Sequence, residues 1–196
     1  MNQTILFIDG ENFLHKVEEV LKKERVELKK INLTKISLNF LLKKTLKTYK
    51  MSRKIIYVAK LHFHKDTENK SIELIQFQRY LKTNLEKQGF DFLIAGNVRA
   101  QTVQLDHKTK IIFREKGVDV KIAVDLVSFA ADKILKTAIL CSSDSDLQPA
   151  VKEVRRRNVE VIYLGFEINP NKGLSYTSNR TILFRNSEIL EACGVK

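Results

Sequence analysis

Two continuous apolar runs stand out in the hydrophobic pattern, and each leads directly into polar residues. Residues 4–8 end in Asp9, and residues 138–141 are followed by two serines and Asp144. Short apolar runs without alternation are typical of strands that are buried on both faces of a sheet. Similar runs at 54–61 and 160–164 predict two further strands.

Segments with helical periodicity separate these strands. We expect helices over 13–21, 33–48, 71–88 and 118–135, and another that begins near Pro149. Shorter elements are predicted as strands at 91–95 and 181–184, a loop over 166–176 and a helix at 187–192. Alternating β-branched residues over 98–113, with Asp106 and His107 at the turn, predict a hairpin or two edge strands. This order predicts an α/β fold, with helices on both faces of a mainly parallel central sheet, hence three α/β/α layers.

The composition is that of one sizeable domain rather than two. The 196 residues are 43% hydrophobic and show no internal break, so we predict a single domain over 1–196, with its core at 4–165 and an extension at 166–196. Two cysteines and no long apolar segment predict a reduced, cytoplasmic protein without a membrane partner. The net charge of +12 favours a polyanionic partner, although a coding bias toward lysine would also produce it.

Three aspartates are predicted to meet at one edge of the sheet. Asp9 and Asp144 follow strands, and Asp119 lies in the first turn of the 118–135 helix. The carboxyl edge of an open α/β sheet is where ligands bind, and clustered carboxylates suit a hard divalent cation such as Mg²⁺. Taken singly, each acid is also typical of a turn or a helix cap.

Neighbouring polar residues are candidates for helping this site. Asp146 is a candidate fourth metal ligand, and Asn12 and Ser142 can donate hydrogen bonds to a ligand carboxylate or a phosphate. Asp125 lies about 9 Å beyond Asp119 along the helix, so we expect it to support the site or pair within the helix rather than bind metal. Candidate contacts to a nucleic-acid backbone are Lys60, Arg99, Arg114, Lys116 and Lys121.

The three acid-bearing segments together resemble one known family. The segments at residues 8–12 (IDGEN), 115–120 (EKGVDV) and 142–146 (SSDSD) are similar in order and spacing to the motifs of the NYN domain, which includes LabA-like proteins and belongs to the PIN-like nuclease superfamily. The resemblance runs to about Gly165 and includes Ala123, Asp125 and Pro149.

The resemblance implies a PIN-like, Rossmann-like fold and a Mg²⁺- or Mn²⁺-dependent ribonuclease. Its metal ligands and catalytic residues would match Asp9, Asp119 and Asp144, assisted by Asp146 and Asn12, and RNA would be the partner. A catalytically silent RNA-binding module of the same fold is the alternative from another class. Phosphatase and Toprim patterns fit less well, because Glu11 stands where the former needs an aspartate and Asp9 where the latter needs a glutamate. Edge strands near 98–113 leave a homodimer open.

Overall fold

The computed structural model describes residues 3–65, 68–105 and 108–195, and for 99–105 and 108–114 it describes the backbone alone. The strands are β1 (Gln3–Asp9), β2 (Arg53–Lys60), β3 (Asp91–Leu105), β4 (Lys108–Lys116), β5 (Leu135–Cys141), β6 (Glu160–Phe166) and β7 (Arg180–Phe184). The helices are α1 (Gly10–Lys23), α2 (Leu38–Thr45), α3 (Glu68–Lys87), α4 (Val118–Ala131), α5 (Gln148–Arg156), α6 (Lys172–Thr177) and α7 (Asn186–Ala192).

The strands form one sheet in the order β4-β3-β2-β1-β5-β6-β7. Every neighbouring pair is parallel except the β3–β4 hairpin at one edge. The chain builds outward from β1 in one direction to β4 and then crosses over to build in the other direction from β5. The switch in direction therefore lies between β1 and β5, and such a switch point leaves a crevice at the carboxyl ends of the strands.

Helices cover both faces of the sheet, as the continuous apolar strands require. Alternate residues of β1 face opposite layers: Leu6 and Ile8 pack with α1, α2, α3 and α7, whereas Ile5 and Phe7 pack with α4, α5 and α6. Two buried clusters result, one on each side of the sheet. The predicted α/β/α sandwich with a mainly parallel sheet is confirmed.

The helix predicted over 33–48 is wrong in its first part. Asn32 caps a single 3₁₀ turn by accepting a hydrogen bond from the Thr34 amide at 3.1 Å. The Ile36 carbonyl then accepts from Asn84 Nδ2 on α3 at 3.0 Å and from Nε2 of Gln88, just after α3, at 2.9 Å. Because α3 takes up this carbonyl, the regular helix begins only at Leu38.

Two other predictions needed correction. The strand at 91–95 and the first strand of the predicted hairpin form one continuous element, β3, which is parallel to β2 and antiparallel to β4. The predicted loop over 166–176 contains the start of α6, because Asn171 Oδ1 caps it by accepting from the Leu174 amide at 2.8 Å. The predicted turn residues Asp106 and His107 lie outside the described residues.

No helix in the described part of the chain is both long and apolar enough to cross a membrane.

Candidate active site

The three predicted aspartates line one cleft at the carboxyl edge of the sheet. Asp9 ends β1, Asp144 follows β5, and Asp119 lies in the first turn of α4. All three belong to a cleft of about 460 Å³. β1 and β5 are hydrogen-bonded neighbours, so Asp9 and Asp144 flank the switch point of the sheet.

Asp9 is held firmly by its neighbours. Its Oδ1 accepts from the Asn12 amide at 3.1 Å, and its Oδ2 accepts from Asn12 Nδ2 at 2.7 Å and from Ser142 Oγ at 3.3 Å. Burial raises the pKa of Asp9 and the charge of Glu11 adds to this, whereas the hydrogen bonds from Asn12 and Ser142 oppose it. Asn12 and Ser142 thus both donate hydrogen bonds to the Asp9 carboxylate.

Ser142 also links Asp9 to the β5 side of the cleft. Its hydroxyl oxygen accepts from the Asp144 amide at 3.1 Å while the hydroxyl donates to Asp9. Asp144 Oδ1 accepts from the Asp146 amide at 2.9 Å and so caps a 3₁₀ turn that precedes α5. The Asp146 side chain is exposed and is not among the described residues that line the cleft.

Asp125 lies apart from the cleft, within its own buried network. Its carboxylate accepts from Lys121 Nζ at 2.5 Å, one turn earlier on α4, and from the Tyr57 hydroxyl at 2.9 Å on β2. Asp125 thus ties α4 to the sheet and holds the helix that carries Asp119.

The predicted cationic contacts are divided among several environments. Lys116 is exposed and lines the cleft. Neither Lys60 nor Lys121 is among the residues that line the cleft. Lys60 is exposed at the end of β2, and Lys121 pairs with Asp125. The side chains of Arg99 and Arg114 lie outside the described residues.

Two acids of the cleft were missed from the sequence. Glu11 and Glu115 both line it, and their carboxyl groups lie within hydrogen-bonding reach of each other. Burial raises the pKa of Glu115 to about 9, and the nearby carboxyls of Glu11, Asp9 and Asp119 add to this. Both glutamates lie inside the first two motifs, and each is within four residues of a predicted metal ligand. That proximity could have indicated that they line the same cleft.

Glu115→Gln is expected to stabilise the protein in EDTA, and more so as the pH rises. The folded protein keeps the Glu115 proton between the ordinary pKa of 4.5 and about 9, whereas the unfolded chain loses it. The unfolded state then binds fewer protons, so the free energy of unfolding of the wild type falls as pH rises through this window. Glutamine has no proton to lose. Thermal unfolding at about pH 8 should therefore give a higher Tm for the variant, and the gain should shrink toward about pH 5.

The control for this measurement is Glu73→Gln, which changes an exposed glutamate on α3. It should leave the difference from wild type independent of pH. A Tm gain for Glu115→Gln that is equal at about pH 5 and about pH 8 would contradict a raised pKa of Glu115 in the folded protein.

The donor set of the cleft suits a hard divalent cation in chemical type. Carboxylate oxygens are the ligands that Mg²⁺ and Mn²⁺ prefer, and Glu115 Oε2 is buried without a hydrogen-bond partner among the described residues. The arrangement of these side chains is a separate matter from their chemistry. In the described chain, no three His, Cys, Asp or Glu side chains are grouped so that they could hold an ion together.

Comparison with known proteins supports the fold and identifies the family. No curated protein matches the chain. A crystal structure of a protein of unknown function from Vibrio parahaemolyticus is similar, with a TM-score of 0.52 and 17% identity over 93% of each chain, which shows a shared fold. The model of the NYN domain matches residues 3–183, so the match continues past Gly165. The chain therefore belongs to the NYN domain family, within the PIN-like nuclease superfamily.

Proposed function

We propose that this protein is a metal-dependent ribonuclease that hydrolyses RNA phosphodiester bonds, most simply as an endonuclease. Its main support is that Asp9, Asp119 and Asp144, from three distant parts of the sequence, line one cleft at the switch point of the sheet. Membership of a nuclease superfamily and the net charge of +12 point the same way.

Asp9, Asp119 and Asp144 would hold a Mg²⁺ or Mn²⁺ ion, with Asp146 as a further ligand from the adjoining turn. When bound, such an ion polarises the scissile phosphate and lowers the pKa of the attacking water. In the proposed hydrolysis, the oxygen of water would bond to phosphorus and release a proton to solvent, while the bond to the leaving oxygen would break and that oxygen would take up a proton from solvent.

The surrounding residues would orient these acids and the RNA. Asn12 and Ser142 fix the Asp9 carboxylate, and Asp125 steadies α4 through Tyr57. Lys116, at the rim of the cleft, is the best placed of the described cations to contact a phosphate of the backbone. We propose Lys60, Arg99, Arg114 and Lys121 as further contacts along the surface around this edge.

One observation favours a second candidate, a catalytically silent RNA-binding module. No three acidic, histidine or cysteine side chains in the described residues are grouped to hold an ion. A protein that lacked a functional metal site would bind RNA through the same charged surface and cut nothing. The two candidates therefore differ in cleavage and not in RNA binding.

The decisive experiment is cleavage of a labelled RNA of mixed structure in Mg²⁺, Mn²⁺ or EDTA. We expect internal cutting with either ion and none in EDTA, because the acids alone supply no means of neutralising the phosphate. Salt-sensitive binding without cutting in any condition would establish the silent module instead. Cutting that is equal in EDTA would contradict the proposed metal chemistry.

A further inference from the structure

A second cavity adjoins the acidic cleft and differs from it in character. This side pocket, of about 240 Å³, lies between α1, α3, the end of β2 and the middle of β3. Its walls include Leu14, Leu74, Phe77 and Leu81, and its polar groups include Glu18 and His62. The NYN motifs contribute only Gly10, Glu11 and Glu115 to its wall, and the other lining residues lie outside them.

The side pocket and the acidic cleft share a wall. Glu11, His15 and Glu115 line both cavities. A chain whose phosphate lies at Asp9 and Asp144 would therefore bring an adjacent nucleotide to the mouth of the side pocket.

The chemistry of the side pocket excludes some ligands and favours others. The carboxylates of Glu11 and Glu18 on its wall disfavour a phosphate or any other anion inside it. The apolar side chains favour a flat group with apolar faces, and His62 offers a ring and a polar edge. His62 Nε2 lies 3.1 Å from Asn97 Oδ1, a contact that fixes the ring at the end of β2. An unpaired nucleobase meets these requirements, with its charged phosphate left outside in the acidic cleft.

We propose that the side pocket binds an unpaired nucleobase of the RNA, next to the phosphate held at the acidic cleft. This inference rests on the proposed function for the position of that phosphate. It implies that the protein acts on single-stranded RNA or on loops, because a base within a duplex cannot enter the pocket.

The test measures base insertion independently of cleavage. The Asp144→Asn variant is mixed in Mg²⁺ with short single-stranded RNAs that carry 2-aminopurine at one position at a time. We expect one position to show a large change in fluorescence. Removing the base at that position should weaken binding about tenfold, since stacking of a base on side chains contributes an effect of this order.

A matched pair of substitutions on α3 locates the effect. Leu74 and Ile72 are both partly exposed, at 37% and 40%, but only Leu74 lines the side pocket. Leu74→Trp should fill the pocket and abolish the fluorescence change at the special position, whereas Ile72→Trp should preserve it. Binding of the RNA that lacks the base at this position is measured with neither tryptophan substitution present. That measurement therefore tests the proposal even if Leu74→Trp fails to fold.

The outcomes separate this inference from the proposed function. Cleavage by the wild type, with no special position or with equal behaviour of the two tryptophan variants, would overturn the side pocket and leave the ribonuclease intact. A special position that Leu74→Trp abolishes, in a protein that never cleaves RNA, would support the pocket within a silent binding module. Absence of RNA binding altogether would overturn the inference.

Discussion

Asp144→Asn and Asp9→Asn are each expected to reduce the rate of RNA cleavage by roughly 100-fold or more. A bound divalent cation supplies several kcal/mol of charge stabilisation in phosphoryl chemistry, and about 3 kcal/mol corresponds to that factor. Asparagine keeps the size of aspartate and removes its charge. The hydrogen bond that Asp144 Oδ1 accepts from the Asp146 amide can be accepted equally by an asparagine oxygen, so the local turn should survive.

The matched control is Asp132→Asn, which changes an exposed aspartate at the other end of α4. It removes the same charge from the protein and should leave cleavage unchanged. RNA binding, measured in parallel, should persist in all three variants. Cleavage that survives both cleft substitutions would mean that the site lies elsewhere or that a contaminant does the cutting.

Gly96→Ala is expected to destabilise the protein by about 3 kcal/mol or more, the largest stability effect that we predict for a single methyl group. Gly96 has φ of 72°, which is unfavourable for alanine. In addition, a Cβ at this position would meet the Lys116 carbonyl oxygen and would lie 3.0 Å from the Val118 amide nitrogen. These are backbone atoms where β4 leads into α4, so relief requires a shift of the segment that carries Asp119.

Gly89→Ala separates the two causes. Gly89 has nearly the same backbone conformation, with φ of 78°, but a Cβ there would find only Lys54 Nζ, at 3.7 Å. This substitution should cost only the conformational strain, about 1 kcal/mol. Urea unfolding of both variants measures the difference directly. Equal losses would show that β3 and α4 adjust freely, and that Gly96 does not fix the position of Asp119.

The hydrophobic pattern was sufficient to predict the strands that are buried on both faces of the sheet. β1, β2, β5 and β6 are buried on both faces, so their apolar runs have no other explanation and their positions were predicted to within a few residues. The segment after Asn32 was harder to predict, because the side chains of Asn84, on α3, and Gln88, just after it, donate hydrogen bonds to the Ile36 carbonyl. Such contacts join residues about fifty positions apart and leave no local signal.

The sequence by itself determined the fold class, the family and the positions of three aspartates at the ends of strands or the start of a helix. These follow from local rules, because an apolar run sets a strand and the residue after it must lie at the edge of the sheet. Only the tertiary structure decided that β1 and β5 are neighbours and that Glu11 and Glu115 join the cleft. It also decided that Lys121 pairs with Asp125, and that a side pocket opens beside the acids. The physical reason is that strand order, and therefore which side chains meet across the sheet, depends on packing between distant segments rather than on any pattern within one of them.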